Sequence, residues 1–372
     1  VPLPHLAPDP IDTAWLPSLG RTLRRIAGAG AADDTLDRTS TSPAELTPAQ
    51  CRGFAEHGYL ILRGFFDRPR VDQVRAQLDD LWATRPAAMQ VAVDAYLGQA
   101  RERRYDFRTA PAIVRASPYK LNDLHEHMSA LQSLATDARL LAAIDDLLSS
   151  QPVLMNSLLL EHGSQQAPHF DTFHMPSRTP NMMAAAWLAI DPATPTNGPL
   201  IYYPGSHRVP PYRFSDGSIK QIDAERDRAG RHVARLIARH RWQPVAFLAD
   251  PGDVLIWHAQ LLHGGSAITV PGETRLSAVI HYWTTADVTR PEDRIDLGGG
   301  RLLLRKSPPE ITDPDALDLF LEGLRPAPAD RAAVPRDFDA RRYLLAHPDL
   351  FALRVDPYWH YAAHGRAEGR RW

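Results

Sequence analysis

The chain is almost without cysteine. Its one residue of this type, Cys51, excludes an intrachain disulfide framework and a cysteine-rich zinc or iron–sulfur centre. An excess of one charge is also missing. Lys+Arg at 42 against Asp+Glu at 44 leave a formal net charge of -2, so no global field recruits nucleic acid or anionic membrane. Long apolar runs are absent as well: the most apolar stretch, Met182 to Ile190, is far shorter than the roughly 20 residues that span a bilayer. The opening VPLPHLAPDPIDTAW has neither the basic region nor the apolar stretch of a secretory signal. A cytoplasmic protein with no membrane span and no nucleic-acid partner is expected. What the chain does have is core-forming material, 44% hydrophobic residues, cut by 33 prolines into short runs with rigid turns.

Residues 1–45 read as a flexible leader. Order is expected from Thr47-Pro48-Ala49-Gln50, an N-cap with Pro at the first helical position and Gln three residues on. Phe54 faces inward on that helix, Gly58 ends it, and Tyr59 to Leu62 form a strand. Asp67 and Pro69 open a second helix, with Val71, Val74, Leu78 and Leu81 at helical spacing. Residues 121–149 read as a third helical region. The period then changes to short apolar runs at 152–161, 181–190, 198–207, 253–259 and 275–283, separated by Pro/Gly turns. That pattern favours a β-rich core over alternating βαβ units. Residues 216–242 interrupt it with a charged helical insertion, placed over one mouth of the barrel. The organisation expected is a core domain over 46–300, a Pro-rich connector over 301–335 and a small helical module over 336–372.

The chemistry concentrates in Ala167-Pro168-His169-Phe170-Asp171. A histidine and an aspartate two apart on a strand point to one face and can take adjacent corners of a metal. His263 is the best candidate for a further ligand, because it follows a strand and sits in a Leu-His-Gly-Gly turn where glycines let the backbone pass close. Two histidines and one carboxylate leave three metal positions open, the facial arrangement of non-haem Fe(II) oxygenases. Zinc in a hydrolase is the chief rival, since the same donors serve there. With 16 histidines in the chain, an isolated H-x-D string would carry little weight.

Five stretches in order strengthen the reading: FAEHGYLILRGFF (54–66), APHFDTFH (167–174), NGPLIYYPGSH (197–207), PGDVLIWHAQLLHGG (251–265) and TRLSAVIHY (274–282). Together they resemble the phytanoyl-CoA dioxygenase (PhyH-like) family of Fe(II)- and 2-oxoglutarate-dependent oxygenases, over roughly residues 46–285. The resemblance implies a mainly β fold with helical additions, its core a double-stranded β-helix of jelly-roll, cupin-like form. It implies His169, Asp171 and His263 as iron ligands and as the catalytic set, with O₂ and the co-substrate 2-oxoglutarate. It assigns Arg275 to the distal carboxylate of 2-oxoglutarate, a role suited to a bidentate guanidinium. Asn156 matches an amide position beside the 1-carboxylate, Trp187 an aromatic near the iron pocket, and Lys120 a lysine that reaches the co-substrate. Many relatives place a serine directly after the glycine that follows the distal histidine. Here Gly265 takes that place, and Ser266, one residue later, is the candidate hydroxyl.

The implied reaction splits 2-oxoglutarate into succinate and CO₂ and oxidises a substrate C–H bond, hydroxylation being the simplest outcome. Asp171 argues against the related halogenases, which have a small residue there. Phe173, His174, Tyr202 and Tyr203 are candidate substrate contacts near the metal turn. His258, on the same strand as Trp257, reads as structural. The C-terminal residues Phe338-Asp339, Pro348-Asp349, Asp356-Pro357, His360-Tyr361 and Glu368-Gly369-Arg370 resemble a short module repeated in bacterial glycosyltransferase-linked and surface-polysaccharide proteins. The expected substrate is therefore a small molecule, with a sugar or glycan precursor as the leading class. The alternatives are a non-catalytic binding module on the same barrel and a zinc-dependent hydrolase.

Overall fold

The computed structural model describes residues 45–86, 89, 91–95, 103–179, 181–305, 314–352, 355–366 and 368–371. The expected leader, apart from Glu45, lies outside them. In chain order the helices are α1 (Pro48–His57), α2 (Arg68–Thr84), α3 (Ser129–Ala135), α4 (Ala138–Leu148), α5 (Arg226–His240), α6 (Pro314–Gly323), α7 (Pro328–Ala333), α8 (Ala340–Ala346), α9 (Pro348–Ala352) and α10 (Pro357–His360). The strands are β1 (Tyr59–Leu62), β2 (Ala92–Ala95), β3 (Arg103–Asp106), β4 (Tyr119–Asn122), β5 (Pro152–Leu160), β6 (Ala184–Ala189), β7 (Leu200–Tyr202), β8 (Val245–Phe247), β9 (Val254–His258), β10 (His263–Gly265), β11 (Ser277–Thr284), β12 (Arg294–Asp296) and β13 (Leu302–Leu304). No described helix is long and apolar enough to cross a membrane.

The chain divides into two compact units. One holds the described residues up to Leu78 together with Leu124–Leu304, and the other holds Asp79–Asp123 and Arg305–Trp372. This division is not the linear one expected, because residues 79–123 group with the C-terminal helices.

The first unit is built on two antiparallel sheets. The larger runs β1-β9-β6-β11-β5 and the smaller β10-β7-β8. Both contribute to one core: Ala185, Trp187, Leu255 and Trp257 from the larger sheet meet Leu200, Tyr202 and Phe247 from the smaller. That is the double-stranded β-helix, with alternate residues of each strand pointing inside. The expected capping box is formed, Thr47 and Gln50 each bonding the other's backbone at the head of α1. Val71, Val74 and Leu78 are fully buried along α2. Tyr119–Asn122, part of which falls in the expected third helical region, is instead a strand; a 3₁₀ turn follows at Leu124–Glu126, and α-helix begins at Ser129. The insertion is helical over 226–240 and reaches that helix through a 3₁₀ turn at Asp223–Glu225. Its Ala229 and Val233 pack against Phe170, Phe173, Tyr203 and Leu262, so the insertion is seated on the metal turn.

A buried pair of imidazoles ties α1 to the barrel. The His207 and His258 rings lie 5.3 Å apart, and His207 Nε2 donates to the Ala55 carbonyl at 3.2 Å. His258 Nδ1 accepts from the Gln260 amide, which is the structural role expected for it. Burial pushes His207 down to about 4 and His258 well below its usual value.

In the second unit β2 pairs with β3 and β4. The helices there close on Leu317, Tyr343, Leu344, Leu350, Val355 and Tyr361. Leu317 belongs to the expected connector, so this stretch is part of a core and not a linker. The Tyr343 hydroxyl meets His360 Nδ1 at 2.9 Å. A Cβ on Gly365 would stand 2.1 Å from that hydroxyl, so the π-helical turn Tyr361–Gly365 admits only glycine at its end.

Two predictions follow from these packings. Gly365→Ala should destabilise the helical unit by about 1–3 kcal/mol, the usual cost of overpacking, read as an earlier unfolding midpoint of the full chain in urea. His207 stays neutral in the folded chain down to about pH 4, whereas an unfolded histidine takes up its proton near 6.5. Its contribution is complete above that value and declines as the pH falls towards 4, by about 1.4 kcal/mol per unit. Between pH 7 and 5 the wild type should lose about 2 kcal/mol more stability than His207→Gln; equal losses would show that His207 does not titrate on unfolding.

Candidate metal centre

The centre is assembled from two loops joined by backbone hydrogen bonds. His169 N donates to the His263 carbonyl at 2.9 Å and His263 N to the His169 carbonyl at 3.1 Å. The two residues are thus directly opposed in an antiparallel pair and send their side chains to one side. His263 begins strand β10, not a turn. Its two glycines are needed because a Cβ on Gly264 would stand 2.7 Å from the Gln166 carbonyl, and one on Gly265 2.6 Å from the Gln165 amide. Asp171 likewise is not on a strand but opens a 3₁₀ turn, while extended backbone at Phe170 keeps it beside His169.

His263 Nε2 lies 3.5 Å and His169 Nε2 4.0 Å from Asp171 Oδ1, and one ligand atom from each of the three residues lies within 4.8 Å of the others. Each histidine donates Nδ1–H to the carbonyl two residues before it, His169 to Ala167 and His263 to Leu261, both at 2.9 Å. That fixes the tautomer and leaves Nε2 with a free lone pair. Burial, then the neighbouring His263 and His174, push His169 down to about 3. Burial opposes ionisation of Asp171, but His263, His281 and His169 together outweigh it and hold its carboxyl well below the usual range. The set offers two imidazole Nε2 atoms and a carboxylate, the donors of a first-row divalent metal.

A second feature lies deeper in the barrel. Arg275 is 2% exposed, and its Nε and Nη1 have no hydrogen-bond partner. The guanidinium lies 5.0 Å over the Trp187 ring. Burial lowers it to about 10, so it remains charged at neutral pH. Its backbone is firmly held: Arg275 N donates to the Glu161 carbonyl at 2.8 Å and Leu276 N to Asp191 Oδ2 at 2.9 Å, while Arg75 bonds both carboxylates. Ser277, two residues on and on the same face, also has a buried hydroxyl without a partner. Val279 and Leu158 oppose each other on β11 and β5 and stay partly accessible. Val279 also packs on the interior cluster. A buried cation with unused donors beside apolar walls fits a dicarboxylate such as 2-oxoglutarate.

The other expected site residues are spread more widely. Asn156 Oδ1 meets His281 Nδ1 at 2.6 Å. Ser266 donates its hydroxyl to the Pro199 carbonyl at 2.7 Å. Lys120 stands on β4 of the second unit, its Nζ 3.9 Å from Asp94 Oδ2. Tyr202 lies opposite His263 and packs inside the barrel, its ring 4.6 Å from that of Tyr59. Phe173 and Tyr203 belong to the cluster under α5. His174 is exposed, its ring 5.4 Å from that of His169. Sequence reasoning missed Trp257 and His281. Trp257 Nε1 donates to Asp171 Oδ2 at 2.7 Å, and His281 Nε2 lies 3.6 Å from the same oxygen. Strand alternation carried the signal for Trp257, since it places this residue inside and His258 outside.

Comparisons with known proteins agree with this geometry. A model of the phytanoyl-CoA dioxygenase (PhyH) family matches residues 54–275, more than half of the chain. The ectoine dioxygenase of Sphingopyxis alaskensis is 26% identical over 246 residues, covering 62% of this chain and 74% of that protein. Phytanoyl-CoA dioxygenase domain-containing protein 1 of Rattus norvegicus is 23% identical over 250 residues, covering 59% and 84%. Among solved structures, the non-heme alpha ketoglutarate dependent carbocyclase SnoK from nogalamycin biosynthesis superposes with a TM-score of 0.49 at 17% identity, covering 66% of this chain and 88% of that one. With the candidate metal-holding residues His169, Asp171 and His263 all inside the matched segment, the chain belongs to the phytanoyl-CoA dioxygenase family of non-haem Fe(II)- and 2-oxoglutarate-dependent oxygenases.

Proposed function

We propose that this enzyme hydroxylates a C–H bond of a small molecule, a sugar or glycan precursor, with one oxygen atom of O₂ entering the product and the other entering succinate as CO₂ is released. The observation that carries the reading is the buried, unpartnered guanidinium of Arg275. Metal-assisted hydrolysis does not itself require such a cation, whereas a co-substrate carboxylate supplies the acceptors it lacks. His169, Asp171 and His263 would hold the iron, and Arg275 the distal carboxylate of 2-oxoglutarate. Iron and 2-oxoglutarate, when bound, would supply the activation of O₂, which is the oxidant for the C–H bond. The protein's part is to orient and to exclude water. Trp187 covers one side of Arg275, and Leu158 and Val279 wall the space beside it. Asn156 braces His281, and the exposed His174 next to His169 is the side chain best placed to meet a polar substrate. The sugar assignment rests on the C-terminal residues that resemble a module of glycosyltransferase-linked proteins. A relative named for ectoine supports a small polar substrate more broadly.

His169→Ala should abolish iron binding and succinate formation together. Arg275→Ala should keep iron binding but raise the apparent KM for 2-oxoglutarate by about 10–100-fold, the loss of hydrogen bonds to a charged group. Unchanged use of 2-oxoglutarate by R275A would remove the anchor assignment. The substrate class is checked by succinate release from nucleotide sugars against amino acids and acyl-CoAs, and stimulation confined to the latter two would exclude the sugar reading.

A further inference from the structure

The two oxygens of Asp171 have different surroundings. Oδ1 faces His263 Nε2 at 3.5 Å and His169 Nε2 at 4.0 Å. Oδ2 points the other way, accepting from Trp257 Nε1 at 2.7 Å, with His281 Nε2 3.6 Å from it. Trp257 stands on β9 and His281 on β11, strands that flank β6 on either side. All three residues are at most 3% exposed, so water does not compete for this oxygen. The indole N–H can only donate, which makes its bond to a carboxylate unambiguous. His281 is in turn held by Asn156 at 2.6 Å. The histidine ligands are oriented by carbonyls of their own loops, but the carboxylate is oriented from two remote strands of the barrel.

We infer that Trp257 and His281 are positioning residues that hold Asp171 to a single metal-facing oxygen and so keep three metal positions open. This rests on the iron-site reading above. A carboxylate free to rotate can take a metal with both oxygens. That would use one of the positions needed by a bidentate co-substrate and by O₂. The Trp257 Nε1–H bond occupies Oδ2, and the His281 ring, fixed by Asn156, stands against the same oxygen and limits its rotation. The indole ring also lies 4.6 Å from the ring of His263, so one side chain supports two ligands.

The test uses the metal-free full chain titrated with cobalt(II), followed by calorimetry and by visible absorption, which reports the coordination number. Trp257→Phe keeps the ring and removes the N–H. It should bind cobalt about 10–100-fold more weakly, the usual effect of losing such a partner, with an altered visible spectrum. Trp82→Phe, which removes an indole donor to the Tyr119 hydroxyl in the other unit, should change neither. His281→Gln should act in the same direction as W257F, and it decides the matter if W257F does not fold by circular dichroism. A W257F affinity within twofold of wild type with a superimposable spectrum overturns the inference. Failure of the wild type itself to bind cobalt would overturn the metal-site reading instead, so the two failures are distinguishable.

Discussion

Everything at the metal centre hangs on two main-chain hydrogen bonds. The pairing of His169 with His263 joins the loop that carries Asp171 to the strand that carries the distal histidine. Because the pair is directly opposed, both imidazoles project to the same side without help from side-chain packing. The Nδ1 bonds to Ala167 and Leu261 then set the ring angle in the same way twice. Gly264 and Gly265 are required by the same contact, since the loop before His169 lies directly on their backbone.

Electrostatics divides the barrel into two ends. Near the triad, the His169 imidazole held neutral by burial and the Asp171 carboxylate held ionised favour a cation. Arg275 is a fixed cation whose Nε and Nη1 stay unbonded; the nearby Asp191 carboxylate is engaged by Arg75. The arrangement suits a ligand that carries negative charge at one end and chelates a metal with the other.

Much of this was legible in the residue order, and the reasons are local. H-x-D and L-H-G-G place their chemistry within a few residues, so the triad could be read without a structure. Arg275 was legible through the family pattern around it. Trp257 and His281 were not, because their meaning depends on pairing across the sheet. His281 faces Asn156 only through the register of β11 on β5, which shifts between His281 and Tyr282. No string in the sequence announces such a shift. The helix boundaries failed where a polar strand resembled a helix start, as at Tyr119–Asn122. The short helix expected near Asp315 to Leu324 within the proline-rich connector is present at Pro314–Gly323; that its Leu317 is fully buried in a core was not legible, because burial depends on partners distant in sequence.

The insertion has a consequence for the way such enzymes diversify. Helix α5 has no hydrophobic core of its own; it borrows Phe170 and Phe173, the residues on either side of Asp171 and Thr172. The Gln221 amide also donates to the Phe173 carbonyl at 2.7 Å. A chimera that exchanged residues 216–242 for those of a relative would therefore strip the support from the metal turn unless the two phenylalanines were exchanged with it. Insertion and turn form one packing unit, so replacing what packs on the turn changes the support of the segment that carries His169 and Asp171.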